Sequence, residues 1–453
     1  MGKGGHGLSG LVQPIPSRSK EGRGLYAGLE RIVQRAKAAL KERFTALTHH
    51  LASVEYLTET FHLMNQNGAP GVDRISMAEY GQRLEANVAE LAERMKRRNY
   101  DAPNVRRVYI PKPGNPQKKR PLGIPAVADR LLQAAVARIL SAIYEPLFED
   151  TSFGFRPGRS AHDALRRVRT AVMSGRVHYV YEADIRGFFD NLGHDWLMKM
   201  LALKIGDPWI LRLVTKWLKA GIYDQGTVTH PEKGTPQGGP LSPVLANVYL
   251  HYVLDLWFAK VVKPSLRCEA QLVRYADDFV VLFADEQDAQ RFAADLPGRL
   301  AKFGLELAPE KTRLIPFGAK FWHQGKTATG SFEFLGFSHL LGSSRKGRMV
   351  VVRIPARKGV HRFLQGVKEW LRHNMHLPPQ EQQAYLAAKV RGYYQYFGLP
   401  LCVPPLMAVR HWTLWYWQRT LQRRSQRDHA TWEWVKQRPW FTLPLPKVLH
   451  PQV

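Results

Sequence analysis

The chain has 453 residues, 45% of them hydrophobic, which is more than one hydrophobic core usually serves, so we expect two or three structural units. Lysine and arginine number 66 against 38 acidic residues, and the net charge of +28 favours a large polyanion, nucleic acid first, as the partner. The two distant cysteines exclude a disulfide framework, and the lack of long apolar runs argues against secretion and membrane spanning, so a cytoplasmic protein is expected.

The first third of the chain alternates between helical patterns and breaks. Residues 1–24 are rich in glycine, serine and basic residues, which predicts a basic arm. Helical spacing follows over 25–66, and glycine and proline then interrupt it. The segment 105–125 predicts two short strands around a basic turn, and the apolar spacing over 129–148 predicts a buried helix.

The middle of the chain predicts a mixed layer of strands and helices. A strand over 178–190 ends in acid, and a glycine- and proline-rich turn opens a long helix within 234–258. The segment "RYADDFVVL" (274–282) predicts a half-buried hairpin because β-branched and aromatic residues flank two adjacent aspartates. Another helical pattern covers 286–303, so the fold class is predicted to be α+β.

The last third, residues 341–453, has a different composition. It holds 19 lysines and arginines, only 4 acidic residues and seven of the twelve tryptophans. We expect a mostly helical unit whose basic and aromatic side chains suit a surface that grips a nucleic acid backbone and stacks on bases. The alternatives are tryptophans that only fill a core and a basic charge that is simply solvated or faces an acidic membrane surface.

Three acidic residues stand at predicted strand ends: Asp184, Asp277 and Asp278. If their strands are neighbours in one sheet, the carboxylates converge at one edge and can hold two hard cations. Paired divalent ions stabilise the attacking and leaving oxygens in phosphoryl transfer. A solvated hairpin tip is the alternative for the adjacent pair taken alone.

Several segments of the sequence resemble those of a known protein family. The segments "ADIRGFFD" (183–190), "GTPQGGPLSPVLANVYL" (234–250) and "YADD" (275–278) resemble reverse transcriptases. The full set of motifs is similar to bacterial group II intron-encoded reverse transcriptases and maturases. The further matching segments are "NGAPGVD" (67–73), "IPKP" (110–113), "RPLGIP" (120–125), "SFGFRPGRSAHDAL" (152–165), "FLGF" (334–337) and "RGYYQYF" (391–397).

The resemblance implies a right-hand polymerase. Fingers and palm would occupy 46–340, and a basic helical thumb that doubles as the maturase region would occupy 341–453. Residues 1–45 would form a basic arm and extension. Many members of the family continue into a nuclease with histidine and cysteine pairs, and no such endonuclease is expected in this sequence.

The resemblance also assigns the catalytic groups. Asp184, Asp277 and Asp278 would bind two Mg²⁺ ions, for which Mn²⁺ could substitute. Lys311 matches a lysine that would protonate the leaving pyrophosphate, although it could equally be a surface lysine.

Four residues are expected to contact the incoming nucleotide. Lys112 and Arg120 would clamp the triphosphate. Phe189 would exclude the ribose 2′-hydroxyl and so favour dNTPs, and Gln237 matches a residue that touches the nucleotide. A solvated basic run and a purely structural turn are the respective alternatives for the basic pair and for Gln237.

Primer and template contacts are expected from two loops and the aspartate hairpin. The two glycines of the first loop would let the template approach the backbone, and the second loop matches the primer grip. The residues concerned are Gly238, Gly239, Tyr275, Phe334, Leu335 and Gly336.

The function implied is RNA-directed DNA synthesis coupled to binding of a group II intron RNA, which would promote splicing and intron mobility. The expected partners are the intron RNA, an RNA template with a DNA primer, dNTPs and target DNA, with no membrane. The alternatives are a splicing cofactor with little polymerase activity, a domesticated relative in phage defence or repair, and an RNA-dependent RNA polymerase.

Overall fold

A computed structural model of the chain describes residues 26–112, 115–235, 238–324, 329–424 and 430–453. The basic arm predicted over 1–24 lies outside these ranges, as does Gln237. Within the described ranges no helix is both long enough and apolar enough to cross a membrane.

The first unit is helical and carries a small sheet on one side. Its helices are α1 (Ala27–Ala38), α2 (Thr48–Leu51), α3 (Val54–Leu63), α4 (Met77–Gln82), α5 (Leu84–Lys96) and α6 (Val127–Tyr144). Caps fix two of the starts: Ser53 accepts a bond from the Tyr56 amide, and Ser76 and Glu79 form a capping box. Helix α6 lies where the sequence predicts a buried helix, and almost all of its residues are buried.

The predicted pair of strands around the basic turn is β1 (Val105–Lys112) with β2 (Asn115–Ile124), which run antiparallel. Strand β1 also pairs in parallel with β4 (Ile222–Asp224), and β4 forms a hairpin with β5 (Thr227–Thr229). This four-stranded sheet has the order β2-β1-β4-β5 and lies within the segment 46–340 that is predicted to hold fingers and palm.

The central sheet, called the palm sheet below, has the order β6-β7-β3-β8, with antiparallel neighbours throughout. Its strands are β3 (Tyr179–Asp184), β6 (Ala270–Tyr275), β7 (Asp278–Phe283) and β8 (Arg313–Pro316). Both faces are covered, because Val281 belongs to one hydrophobic core and its neighbour Val280 belongs to the other. The expectation of a half-buried hairpin is therefore wrong, and burial on both faces explains why the strands are apolar at nearly every position.

Helices cover the palm sheet and connect its strands. They are α7 (Ala161–Met173), α8 (Phe188–Asn191), α9 (His194–Ala202), α10 (Pro208–Leu218), α11 (Ser242–Leu250), α12 (Lys263–Ser265), α13 (Glu286–Ala301) and α14 (Ala319–Trp322). Two π-helical segments, His251–Asp255 and Phe258–Val262, continue α11 toward α12. The long helix predicted to follow the glycine-rich turn is therefore present, with two local changes of helical period.

The C-terminal part begins with a three-stranded sheet in the order β11-β10-β9 and continues as helices. Its elements are β9 (Phe332–Phe334), β10 (Phe337–Ser343), β11 (Met349–Pro355), α15 (Arg357–His373), α16 (Pro379–Phe397), α17 (Val403–Gln422) and α18 (Trp432–Lys436). The boundary predicted at residue 340 falls inside β10 and stays a prediction. The whole arrangement confirms the α+β class.

Candidate active site

Three acidic side chains meet at one end of the palm sheet. Strands β3 and β7 are neighbours, and their register sets Asp184 directly opposite Asp278. Asp277 lies in the turn between β6 and β7, one residue before β7 begins. The structure therefore brings together Asp184, Asp277 and Asp278, which we call the acid cluster.

The turn that carries Asp277 has a demanding backbone. Ala276 has a left-handed φ of 56°, which is unusual for a residue with a side chain. Gly154 packs directly against this turn, and a Cβ at position 154 would lie 2.3 Å from the Ala276 nitrogen. The Phe153 amide also donates to the Arg274 carbonyl at 2.8 Å. The segment around Gly154 thus supports the turn by main-chain contact.

A buried arginine fixes the same turn from inside the protein. Arg274 is fully buried and donates to both carboxylate oxygens of Asp255, at 2.7 and 2.5 Å. It also donates to the Ala276 carbonyl at 2.9 Å and to the Asn247 side chain at 3.1 Å. The sequence motifs do not point to Arg274 or Asp255, although an arginine within an apolar strand requires a buried partner.

The electrostatics of the acid cluster favour a bound cation. Burial raises the pKa of Asp278 to about 8, and the charges of Asp277, Asp184 and Glu182 contribute to that rise. Burial also raises the pKa of Glu182, while an ion pair with Arg313 at 2.6 Å opposes that rise. Carboxylates that destabilise one another in this way are suited to sharing a hard divalent cation through their oxygens.

Lys311 provides a positive charge at the edge of the cluster. Its Nζ donates to the Asp184 Oδ2 at 2.5 Å, and this bond raises the pKa of the ammonium group. The Ala308 amide donates to the Asp184 carbonyl at 2.8 Å, which holds the lysine loop at the end of β3. Across the part of the chain that the structure describes, no set of three or more histidine, cysteine, aspartate or glutamate side chains is arranged as a metal site. The two-ion prediction therefore stays a prediction.

The segment that resembles the primer grip touches the acid cluster. The turn at 334–336, called the grip turn below, joins β9 to β10. Its Leu335 amide donates to the Asp278 Oδ2 at 3.4 Å, and its Leu335 carbonyl accepts a bond from the Tyr396 hydroxyl at 2.8 Å. Tyr275, at the end of β6, is partly buried, and burial raises its pKa.

The two glycines expected to approach the template pack closely against other parts of the protein. Gly238 has a φ of 123°, and a Cβ there would lie 2.5 Å from the Gly123 carbonyl oxygen. A Cβ at Gly239 would lie 2.4 Å from the Oε1 of Gln133. Their small size is therefore explained by close contact with β2 and α6, and their contact with the template stays a prediction.

Three of the four residues expected at the nucleotide lie on described elements, each on a different one. Phe189 follows β3 on α8, is partly buried, and its carbonyl accepts a bond from the Thr235 amide at 2.8 Å. Lys112 and Arg120 lie on β1 and β2, where Lys112 pairs with Asn115 and Arg120 pairs with Ile110. Gln237 lies outside the described residues. Contact of all four residues with the nucleotide stays a prediction.

Comparison with known proteins supports the fold expected from the sequence motifs. The sequence profile of the family described as "Reverse transcriptase (RNA-dependent DNA polymerase)" matches residues 110–339, which include the whole acid cluster. The right-hand polymerase fold expected from the motifs is consistent with this match. Reverse transcriptases generally use divalent metal ions.

Several curated proteins are similar to the chain. The group II intron-encoded protein LtrA of Lactococcus lactis subsp. cremoris is 39% identical over 341 residues, 63% of this chain and 56% of LtrA. Protein YkfC of Escherichia coli strain K12 is 32% identical over 350 residues, 70% of this chain and 88% of YkfC. Nuclear intron maturase 2, mitochondrial, of Arabidopsis thaliana is 34% identical over 86 residues, 19% of this chain and 11% of the maturase. The chain thus spans little more than half the length of LtrA.

Proposed function

Because the chain belongs to the reverse transcriptase family, in the group that includes group II intron-encoded proteins, we propose that it is an RNA-directed DNA polymerase. We also propose that it binds a group II intron RNA and promotes its splicing and mobility, acting on nucleic acid in the bacterial cytoplasm. The observation that carries the polymerase proposal is the register of the palm sheet, which sets Asp184 opposite Asp278 beside Asp277.

The acid cluster would hold two Mg²⁺ ions, or Mn²⁺ in their place. Bound divalent ions would lower the pKa of the primer 3′-hydroxyl and stabilise the nucleotide phosphates. The high pKa of Asp278 supports this proposal, because carboxylates that disfavour one another's ionisation gain most from a shared cation.

Lys311 would protonate the leaving pyrophosphate. Its bond to Asp184 raises the pKa of the ammonium group, so the side chain carries the required proton at neutral pH. The same bond places the ammonium group at the edge of the cluster, where a leaving phosphate would depart.

The remaining contacts would select and align the substrates. Phe189 lies five residues after Asp184, near the end of β3, where an aromatic ring could exclude a 2′-hydroxyl and favour dNTPs. Lys112, Arg120 and Gln237 would hold the triphosphate. The primer and template would contact the other predicted positions, which are Gly238, Gly239, Tyr275, Phe334, Leu335 and Gly336.

Primer extension on an RNA template with dNTPs and Mg²⁺ tests the polymerase proposal. We expect template-length DNA from the wild-type protein and none from an Asp277→Ala, Asp278→Ala double variant. Asp195→Ala is the matched control, because Asp195 is exposed in the first turn of α9, and it should extend primers normally. A folded, RNA-binding wild type that makes no DNA would contradict the proposal, and a splicing assay would then test the maturase function alone.

A further inference from the structure

The grip turn is held in a strained conformation next to the acid cluster. Leu335 and Gly336 both have left-handed backbone angles, with φ of 51° and 76°. A left-handed leucine is strained and persists only where surrounding contacts impose it. The hydrogen bonds of the Leu335 amide and carbonyl therefore show which groups hold the turn in this conformation.

Those contacts join a C-terminal helix to a catalytic acid through one residue. The Leu335 carbonyl accepts from the Tyr396 hydroxyl on α16 at 2.8 Å, and its amide donates to Asp278 at 3.4 Å. The second bond is long, so a shift of the turn by a few tenths of an ångström is enough to break it. The position of the Asp278 oxygen thus depends on how firmly the Tyr396 hydroxyl holds the Leu335 carbonyl.

Tyr396 is itself firmly placed. Its carbonyl accepts a bond from the His162 Nε2 on α7 at 2.8 Å, and the His162 ring lies 4.0 Å from the His450 ring. The His450 Nε2 bonds the Gln395 carbonyl at 2.7 Å, so α7 and the C-terminal segment both hold the end of α16. Burial raises the pKa of the Tyr396 hydroxyl, as do the nearby Tyr275 and Asp278, so the group remains a proton donor.

We propose that Tyr396 is a positioning residue whose hydroxyl fixes the grip turn, so that the Leu335 amide orients Asp278 and sets the affinity of the acid cluster for divalent cations. The inference rests on the proposed metal-binding role of the acid cluster. Tyr396 acts through Leu335, because its hydroxyl bonds the Leu335 carbonyl and the Leu335 amide bonds the acid. A carboxylate held in advance loses less freedom when it binds an ion.

The test compares Tyr396→Phe with a matched control on the same helix. Tyr394→Phe is that control, because Tyr394 is buried on α16 and its hydroxyl has no hydrogen-bond partner among the described residues. The probe is Mn²⁺ titrated calorimetrically into the full chain, without nucleic acid or dNTPs. Loss of a group bonded directly to a metal ligand typically costs 10–100-fold in affinity.

We expect Tyr396→Phe to bind Mn²⁺ roughly three- to tenfold more weakly, less than that typical loss because it acts one residue further away. We also expect faster amide hydrogen exchange at 334–336 and a similar rise in the Mg²⁺ concentration for half-maximal primer extension. Tyr394→Phe should match the wild type in all three measurements.

Equal Mn²⁺ affinity of Tyr396→Phe and the wild type would overturn the inference, as would equal losses in both tyrosine variants. No Mn²⁺ binding by the wild type would also overturn it. A wild type that binds Mn²⁺ more tightly than Tyr396→Phe but makes no DNA would contradict the polymerase proposal and leave the positioning role standing. If Tyr396→Phe does not fold, His162→Ala must weaken Mn²⁺ binding, since it removes the bond that places Tyr396.

Discussion

At the scale of single residues, Asp278 is the carboxylate of the acid cluster whose ionisation burial and neighbouring charges disfavour most clearly. Its side chain lies at the end of a doubly covered sheet, and its nearest charges are other carboxylates. The amide of Leu335 lowers its pKa, but burial and the neighbouring charges outweigh that bond and leave the pKa at about 8. Without a bound cation, the folded protein therefore keeps a proton on Asp278 at neutral pH.

This raised pKa predicts a specific pH dependence of stability in the presence of a chelator. Between about pH 4 and about pH 8 the folded state holds a proton on Asp278 that the unfolded state has lost, so stability falls as pH rises through this range. An asparagine side chain does not titrate, so an Asp278→Asn variant lacks this contribution. We expect the variant to gain stability relative to the wild type across this range, by an amount on the order of a few kcal/mol.

Thermal unfolding followed by circular dichroism at several pH values measures this difference. Saturating Mn²⁺ should reduce the pH dependence of the wild type, because the ion favours the ionised carboxylate, and should leave the variant nearly unchanged. A wild-type to variant difference that stays constant with pH would contradict the raised pKa.

At the scale of elements, the turn between β6 and β7, which carries Asp277, depends on a loop outside the acid cluster. A Cβ at Gly154 would meet the Ala276 nitrogen at 2.3 Å and the Tyr275 carbonyl carbon at 2.9 Å, and neither is the flexible end of a side chain. Gly154→Ala must therefore displace the turn, which we expect to lower the extension rate by ~10- to 100-fold. Its stability should fall by about 1–3 kcal/mol.

The matched control for this change is Gly298→Ala. Gly298 lies within α13, and apart from its chain neighbours and the backbone of its own helix, no atom of the described residues lies within 4 Å of a Cβ built there. Alanine should therefore raise helix stability slightly and leave extension unchanged. Rate measurements on both variants at saturating dNTP and Mg²⁺ separate the two cases. Normal extension by Gly154→Ala would show that the turn tolerates the displacement.

The sequence reveals the acid cluster but not the groups that hold it in place. The apolar runs around Asp184 and Asp278 predict strands, and two strands ending in acid are natural neighbours. The grip turn lies 57 residues beyond Asp278, and Tyr396 lies another 61 residues beyond Leu335. Hydrophobic periodicity predicts which face of an element is buried, but it does not predict which distant loop packs there.

The pairing of Arg274 with Asp255 illustrates a second limit. The π-helical segment His251–Asp255 changes the helical period just where the acid occurs. A reading of the long helix at 3.6 residues per turn therefore cannot predict that Asp255 faces the palm sheet. Arg274 itself could have been selected from the sequence, because a charge in a buried strand requires a partner.

At the scale of the whole molecule, the positive charge is unevenly distributed. Residues 341–453 hold 19 basic and 4 acidic residues, and the tryptophans of this part differ in exposure. Trp417 is fully buried and donates to the Gln382 side chain at 2.8 Å, whereas Trp412 is 45% exposed and Trp434 is 37% exposed. The Arg438 guanidinium lies 4.2 Å over the Trp434 ring. Core packing thus explains Trp417. For the exposed Trp434 and Arg438, a protein surface that binds nucleic acid is a better explanation than core packing.

Charge and stacking at that surface should separate in their dependence on salt. Arg438→Gln should weaken binding of single-stranded RNA at low salt and reduce the slope of log affinity against log salt by roughly 0.7, because one phosphate contact is lost. Trp434→Ala should weaken binding by roughly 1–3 kcal/mol at every salt concentration and leave the slope unchanged, because base stacking releases no counterions. Fluorescence anisotropy of a labelled RNA measures both effects.

Arg97→Gln is the control for charge, since Arg97 is exposed and already paired with Glu93 at 2.7 Å. A slope unaffected by Arg438→Gln would mean that RNA does not reach this surface, and the excess positive charge would then need another partner.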